Sequence, residues 1–325
     1  MNRILSGMRP TGKLHIGHLY GALSNYVKLQ KKYDSYYFIA DLHVLTTNYE
    51  HTETIRRNRV EVMLDWLASG IDPEKSVLFI QSKVPEHTYL TLLLSMIVPI
   101  PWVERNTTVK EMIRDLNLRE KASYGLLGYP ILMASDIIIY KANYVPVGKD
   151  QVHHLEITRE IVRRFNNLYG NLFPEPQALL TEFPSIPGLN GKKMSKSLNN
   201  DIKIADTEEE TTRKIMTAIT DPAKVRLRDI GHPEICTIFK YHKIFNKEEA
   251  PQIEKDCKSG KLGCVSCKKR LAEKLNASLK EIRNRRKSLA GREKEITEIF
   301  EEGSKKAQKV ASETLKQVMY LMKID

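Results

Sequence analysis

Apolar positions in the first 200 residues follow two rhythms. Ile4-Leu5, Tyr36-Tyr37-Phe38-Ile39-Ala40 and Val77-Leu78-Phe79-Ile80 are short unbroken apolar runs, the pattern of strands buried on both faces. Between them the spacing turns helical: Leu14, Leu19, Leu23, Tyr26 and Val27 share a face over 14–29, and a second helix is predicted over about 53–69. Each run closes on polar residues, namely Ser6-Gly7, then Asp41, His43 and Thr46, then Gln81-Ser82. Strands alternating with helices predict an α/β fold with a parallel sheet. In such a sheet the ligand crevice lies beyond the carboxyl ends of the strands, where these polar residues fall.

Residues 86–122 read as a mostly helical insertion. The most apolar run, Tyr89 to Val103, is shorter than the roughly 20 residues a membrane span needs. Pro99 and Pro101 interrupt it, so it predicts a buried helix ending at a proline turn. Gly125 to Lys141 is strongly apolar yet holds Asp136, and Val145 to Gln151 reads as a strand entering a loop. A helix bearing His153, His154, Glu156, Arg159 and Arg163 leads out of it. Residues 173–191 are rich in Pro and Gly and read as a linker to a mobile loop at Lys193. From about residue 207 the pattern is helical, broken at Thr220-Asp221-Pro222 and Gly231-His232-Pro233. These shifts place a boundary near 200. They predict an α/β unit over 1–199 and a smaller all-helical unit over 200–325, whose last helix can pack back on the first.

Composition adds a partner class. With 41% hydrophobic and 28% charged residues the chain is globular rather than disordered. The net charge of +12 fits either a polyanion such as nucleic acid or a lysine-rich solvated surface. The organised pattern begins at residue 3 with no secretory segment ahead of it, so a cytosolic protein is expected, without membrane association.

Two short stretches carry candidate chemistry. His15-Ile16-Gly17-His18 opens a helix, where free N–H groups suit phosphate. The same two imidazoles could instead bind a metal or have no task. Lys193-Met194-Ser195-Lys196-Ser197 follows Gly188 and Gly191 and could close two lysines and two hydroxyls over a triphosphate, or be a solvated basic loop. The pair, in this order and about 180 residues apart, is more specific than either string.

The two strings match the ATP motifs of class I aminoacyl-tRNA synthetases, and the chain resembles the bacterial-type tryptophanyl-tRNA synthetase family over nearly its whole length. The resemblance runs through Ser6–Gly12, Ile39–Thr46, Tyr129–Asp136, Val145–Gln151 and Thr220-Asp221-Pro222. It implies a Rossmann-like catalytic fold, ATP with Mg2+, L-tryptophan and tRNA(Trp) as substrates, and a homodimer for which Leu90–Trp102 is a candidate surface. By position it implies His15, His18, Lys193 and Lys196 as catalytic groups. Arg9, Gly17, Gly148, Asp150, Met194, Ser195 and Ser197 join the ATP side. Leu5, Gly7, His43, Tyr129, Met133, Asp136, Val145, Val147 and Gln151 are implied for tryptophan. A carboxylate buried at Asp136 needs a partner, which an indole N–H supplies in this reading and a helix lysine or arginine in the plainer one. The chain departs from the common family pattern in three places: Arg9 stands for a glutamine, Ser135 for an alanine, and Ile230-Gly231-His232-Pro233 for Pro-Gly-Asn-Pro. The nearest alternatives are a tyrosyl-tRNA synthetase, a small-molecule nucleotidyltransferase and a non-catalytic RNA-binding relative.

All four cysteines fall at Cys236, Cys257, Cys264 and Cys267, a clustering that points to a metal centre. Four thiolates suit tetrahedral zinc or a four-iron cluster. Spacing alone favours zinc, whereas a subset of the resembled family implies a [4Fe-4S] cluster. The following segment, 268–287, holds nine Lys/Arg against two Glu and predicts a phosphate-tracking surface, with Lys268, Lys269, Arg285 and Arg286 as tRNA contacts.

Overall fold

The three apolar runs form strands β1 (Arg3–Met8), β2 (Asp34–Ile39) and β3 (Ser76–Ile80). With β4 (Tyr144–Val147) and β5 (Gln177–Leu180) they make a five-stranded sheet in the order β3-β2-β1-β4-β5, every neighbouring pair parallel. The structure, a computed structural model, describes residues 1–115, 118, 122–148, 154–180 and 186–325, apart from the side chains of Thr108, His154 and Ser197.

After β1 the chain is helical from Ile16 to Leu29, as α1 (Ile16–His18), a π-helical turn (Leu19–Leu23) and α2 (Ser24–Leu29). Helices α3 (Asp41–Asn48) and α4 (Ile55–Ala68) lead to β3. The insertion contains α5 (Glu86–Ser95), α6 (Ile100–Glu104), α7 (Thr107–Asp115), α8 (Tyr124–Leu127) and α9 (Tyr129–Ile138). Helix α10 (His154–Tyr169) precedes β5. Then follow α11 (Glu208–Thr217), α12 (Thr237–Phe245), α13 (Ala250–Lys258), α14 (Cys264–Leu289) and α15 (Glu293–Met322).

The continuous apolar runs are explained by burial on both faces of the sheet. Ile4, Tyr37, Ile39, Leu78 and Ile80 join one core with Leu23, Trp66, Leu271 and Leu275. Their strand neighbours Leu5, Tyr36, Phe38 and Phe79 join the other with Leu94, Ile138, Ile161 and Phe165. The period of two thus assigns alternate residues to separate cores.

Two local expectations change. Residues 173–191 contain β5 rather than linker alone. Its pattern is faint because it is a half-exposed edge strand, entered through Pro174 and Pro176 and held by pairing to β4. The Tyr89–Val103 run is only partly a buried helix: Leu90, Leu93 and Leu94 are buried, whereas Leu92, Met96 and Ile100 are 53%, 68% and 65% exposed. Among the described residues no helix is long and apolar enough to cross a membrane.

The opposite edge, β3, is covered by α15. The Ile80 N–H donates to Ser304 Oγ at 3.1 Å, which satisfies an edge amide that would otherwise invite another strand. Gly303 permits this approach, since a Cβ there would stand 1.8 Å from the Leu78 carbonyl oxygen. Gly303→Ala is expected to push α15 off the sheet and cost about 1–3 kcal/mol, read as a lower urea midpoint. An unchanged midpoint would contradict this packing.

Candidate active site

After β1 the chain turns through Gly12, which needs its positive φ of 106°, and reaches His15. The Ile16 N–H donates to the Ile202 carbonyl and the Ile204 N–H to the Leu14 carbonyl, each at 2.9 Å. His15 and Lys203 form an antiparallel bridge between them. The segment just after the lysine loop is therefore zipped to the histidine turn. Backbone pairing unites two motifs far apart in sequence.

The His15 and His18 rings lie 3.7 Å apart. The His15 N–H donates to His18 Nδ1 at 3.3 Å, so His18 carries its proton on Nε2. Burial is the main cause that lowers both imidazoles. His15 falls to about 4, Asp201 opposing and Lys196 adding to the fall, and His18 lies well below its ordinary value, with His15 and Lys196 contributing. At neutral pH both rings are neutral N–H donors. Gly17 makes room for them, because a Cβ there would sit 2.9 Å from the His15 ring.

Across this turn Lys196 Nζ donates to the Gly12 carbonyl at 2.8 Å and to Thr11 Oγ1 at 3.3 Å. Met194 anchors the loop in the core, whereas Lys193 faces solvent. Asn200, not singled out from sequence, organises the loop. Its Nδ2 donates to Asn190 Oδ1 at 2.7 Å and to the Lys193 carbonyl at 3.1 Å, and its Oδ1 accepts the Ser195 N–H at 2.8 Å. Gly188 packs directly on it, for a Cβ would meet Asn200 at 2.2 Å.

A cavity of about 300 Å³ opens beside the ends of β1, β2 and β4, at the point where the strand order reverses. Leu5, Gly7, His43, Tyr129, Met133, Asp136, Val145 and Val147 all line it, together with Arg9. Ser6, Phe38, Ala40, Met112, Ile137, Pro146 and Leu155 complete the wall and were not anticipated. Gly7 is required by Phe38, whose ring would lie 2.3 Å from a Cβ. Gly148 follows β4 directly. Asp150, Gln151 and the Ser197 side chain lie outside the described residues.

Asp136 is 1% exposed. Its hydrogen-bond partners are histidine and glutamine rather than the lysine or arginine of the plainer reading. His43 Nε2 lies 2.7 Å from Oδ2, His87 Nδ1 lies 2.5 Å from Oδ1, and Gln81 Nε2 donates to both oxygens at 2.8 and 2.9 Å. Burial pushes this carboxyl up, but the bonds from His43 and His87 outweigh it and hold the group below its ordinary value. Arg9 bonds to Thr47 Oγ1, and its Nε is buried without a partner. Burial lowers this guanidinium, with Tyr129 opposing.

In the helical part all four cysteines line one small cavity with Asp221 and Lys224. His242 Nε2 is 3.4 Å from Cys267 Sγ, and burial pushes the Cys267 thiol up to about 12. Gly231 lies against Cys257, where a Cβ would be 2.4 Å from Sγ. Yet among the described residues no group of three or more His, Cys, Asp or Glu is drawn together tightly enough to hold a metal ion. Of the four cations expected on the tRNA, Lys269 and Arg285 are exposed. Lys268 donates to the Met216 carbonyl at 2.9 Å, and Arg286 is engaged by Asp65 and Glu61.

A parallel sheet with its cavity at the switch point, and a histidine turn zipped to a lysine loop above it, define a class I aminoacyl-tRNA synthetase core. The family model for class I tRNA synthetases of the W and Y type matches residues 1–280. The tryptophan–tRNA ligase of Thermotoga maritima is 47% identical, over 99% of this chain and 99% of its own. That of Aquifex aeolicus is 44% identical, over 99% of this chain and 100% of its own. The crystal structure of Campylobacter jejuni tryptophanyl-tRNA synthetase with ADP and tryptophan superposes with a TM-score of 0.88 at 35% identity, covering 98% of this chain and 99% of that one. The chain belongs to the tryptophanyl-tRNA synthetase family.

Proposed function

We propose that this chain activates L-tryptophan with ATP and transfers it to the 3′ end of tRNA(Trp). The observation that carries the choice of amino acid is Asp136, an ionised acceptor in the wall of an otherwise largely apolar cavity. An indole N–H entering the cavity can share this acceptor beside His43, and a side chain without that donor forgoes the bond. Leu5, Met133, Val145 and Val147 supply apolar contact. Arg9, which the resemblance places on the ATP side, lines this same cavity and brings positive charge to where the substrate carboxylate meets ATP, and Tyr129 and Gln151 hold the amino-acid end.

The tryptophan carboxylate is already ionised, so the first step needs no protein base. Its oxygen bonds to the α-phosphorus of ATP as the bond to the pyrophosphate oxygen breaks. His15, His18, Lys193 and Lys196 stabilise the charge that develops and then moves to pyrophosphate. Met194, Ser195, Ser197, Gly17, Gly148 and Asp150 shape the nucleotide site, with Mg2+ carried on the phosphates. In the second step a terminal ribose hydroxyl of the tRNA attacks the activated carbonyl and AMP leaves. The division into a catalytic unit over 1–199 and a tRNA-binding unit over 200–325 belongs to this reading, with Lys269 and Arg285 the better placed cations. A homodimer would cover the exposed Leu92, Met96 and Ile100, and the cytoplasm is the expected compartment. The test is charging of tRNA(Trp) with labelled tryptophan. Absence of charging by folded protein would refute the proposal.

The four cysteines are proposed to hold a [4Fe-4S] cluster rather than zinc. Four thiols sharing one cavity are the donor type such a cluster takes, and among the described residues no group of three or more is drawn together as a metal site. When bound, the group would cross-link α12, α13 and α14. Anaerobic purification with iron, sulfide and zinc analysis decides it. One zinc per chain with no visible chromophore would exclude the cluster.

A further inference from the structure

Among the described residues, His87 is a buried imidazole beside the amino-acid cavity that does not line it. It lies on α5, is 0% exposed, and bridges two groups. Nδ1 faces Asp136 Oδ1 at 2.5 Å and Nε2 faces the Tyr140 hydroxyl at 2.7 Å. The ends of the bridge fix its tautomer. An ionised carboxylate only accepts, so Nδ1 carries the proton. In the neutral ring Nε2 is then bare and takes the Tyr140 O–H. The Tyr140 hydroxyl keeps its proton, because burial first, and then the Asp136 charge, raise it well above its ordinary value.

The donors around Asp136 divide by side. His43 lines the cavity and contacts Oδ2, whereas His87 and Gln81 stand behind the wall and hold Oδ1. Gln81 also reaches Oδ2 at 2.9 Å. Its own orientation is set, since Oε1 accepts the Leu42 N–H at 3.1 Å. The His87 backbone is held too, its carbonyl accepting Ser135 Oγ at 2.8 Å and Thr91 Oγ1 at 2.7 Å. Only the His43 contact is on the side a ligand can enter.

We infer that His87 is a positioning residue for amino-acid selection, clamping Asp136 Oδ1 from behind so that Oδ2 is turned to the indole N–H. The Tyr140–His87–Asp136 line works as a relay of orientation: the carboxylate sets the ring tautomer, the Tyr140 hydroxyl holds the bare Nε2, and the ring so anchored fixes which carboxylate oxygen faces the cavity. Asp136 and the indole are the touching pair, and His87 acts through Asp136. This rests on the reading of Asp136 as indole acceptor.

The test uses the full-length protein in ATP–pyrophosphate exchange, comparing tryptophan with its isostere in which sulfur replaces the indole N–H. The ratio of their kcat/KM values reports the N–H contact. His87→Asn keeps a donor at the Nδ1 position and loses the Tyr140 contact, whereas His87→Gln keeps only a donor near Nε2. The Asn variant is expected to hold the wild-type ratio within about threefold. The Gln variant should lower it at least about tenfold through KM for tryptophan, the isostere changing less. If both variants keep the ratio, or both lose it equally, His87 does not position Asp136. If Asp136→Asn leaves the ratio unchanged, the indole reading itself fails, which separates the two. NMR of 15N-histidine-labelled wild-type protein needs no variant to fold: His87 should show a protonated Nδ1 and a bare Nε2, and the opposite tautomer would overturn the inference.

Discussion

Lys196→Ala should lower the rate of tryptophanyl-adenylate formation by about 10²- to 10³-fold, the cost of losing one preorganised charge donor from a transition state. The ammonium already sits on the Gly12 carbonyl and Thr11, above the His15–His18 pair. The two imidazoles are neutral there, so Lys196 is the nearby group that brings full charge as pyrophosphate departs. Burial, with a smaller push from Lys203, outweighs Asp65 and Asp201 and lowers this amine to about 8. The protonated form does the work, and it is lost as pH rises through that value. In free enzyme, kcat/KM for ATP should therefore fall above about pH 8, by about tenfold per unit. Lys196→Arg should remove that limb because a guanidinium stays charged. Presteady-state adenylate formation across pH measures both effects, and a profile unchanged by the arginine would contradict the assignment.

Arg286→Met should destabilise the fold by about 3–5 kcal/mol, the cost of stranding a buried charge. Arg286 Nε donates to Asp65 Oδ1 at 2.7 Å and its NH2 pairs with Glu61. Asp65 is 0% exposed, and its other oxygen accepts the Leu14 N–H at 2.8 Å, one residue ahead of the histidine turn. Burial already holds the Asp65 carboxyl above its ordinary value against the pull of Arg286. The loss should thus reach the ATP site as well as the helix packing. Adding Asp65→Asn removes the stranded charge while leaving an acceptor for Leu14, so the double variant should recover much of the urea midpoint. Equal midpoints for wild type and Arg286→Met would place this pair among the inconsequential ion pairs.

Arg286 also marks where sequence stops being legible. Among nine basic residues nothing in the sequence separates those that turn inward, Arg286 with Lys268 and Arg283, from those facing solvent. The acidic partners of Arg286 lie more than 200 positions away, and only the crossing of α14 over α4 selects it. His87 escaped notice for a related reason: one histidine at the head of an apolar helix carries no local pattern. By contrast β1, β2 and β3 were readable, because burial on both faces writes an unbroken apolar run. The edge strand β5 writes none, since backbone pairing rather than side-chain burial holds it. The histidine and lysine motifs were readable as strings, but their junction was not. It is made by the backbones of Ile16 and Ile202, which any residue type could supply. Asn200 belongs with that junction, for its bonds go mostly to main-chain atoms of its own loop.

The proposed activity depends above all on the cavity holding Asp136 selecting an indole. ATP–pyrophosphate exchange by the purified protein, measured with each of the twenty amino acids in turn, tests it most directly. Exchange with tryptophan is expected, with tyrosine and phenylalanine lower by about 10⁴-fold or more in kcat/KM. Exchange supported by tyrosine and not by tryptophan would contradict the claim.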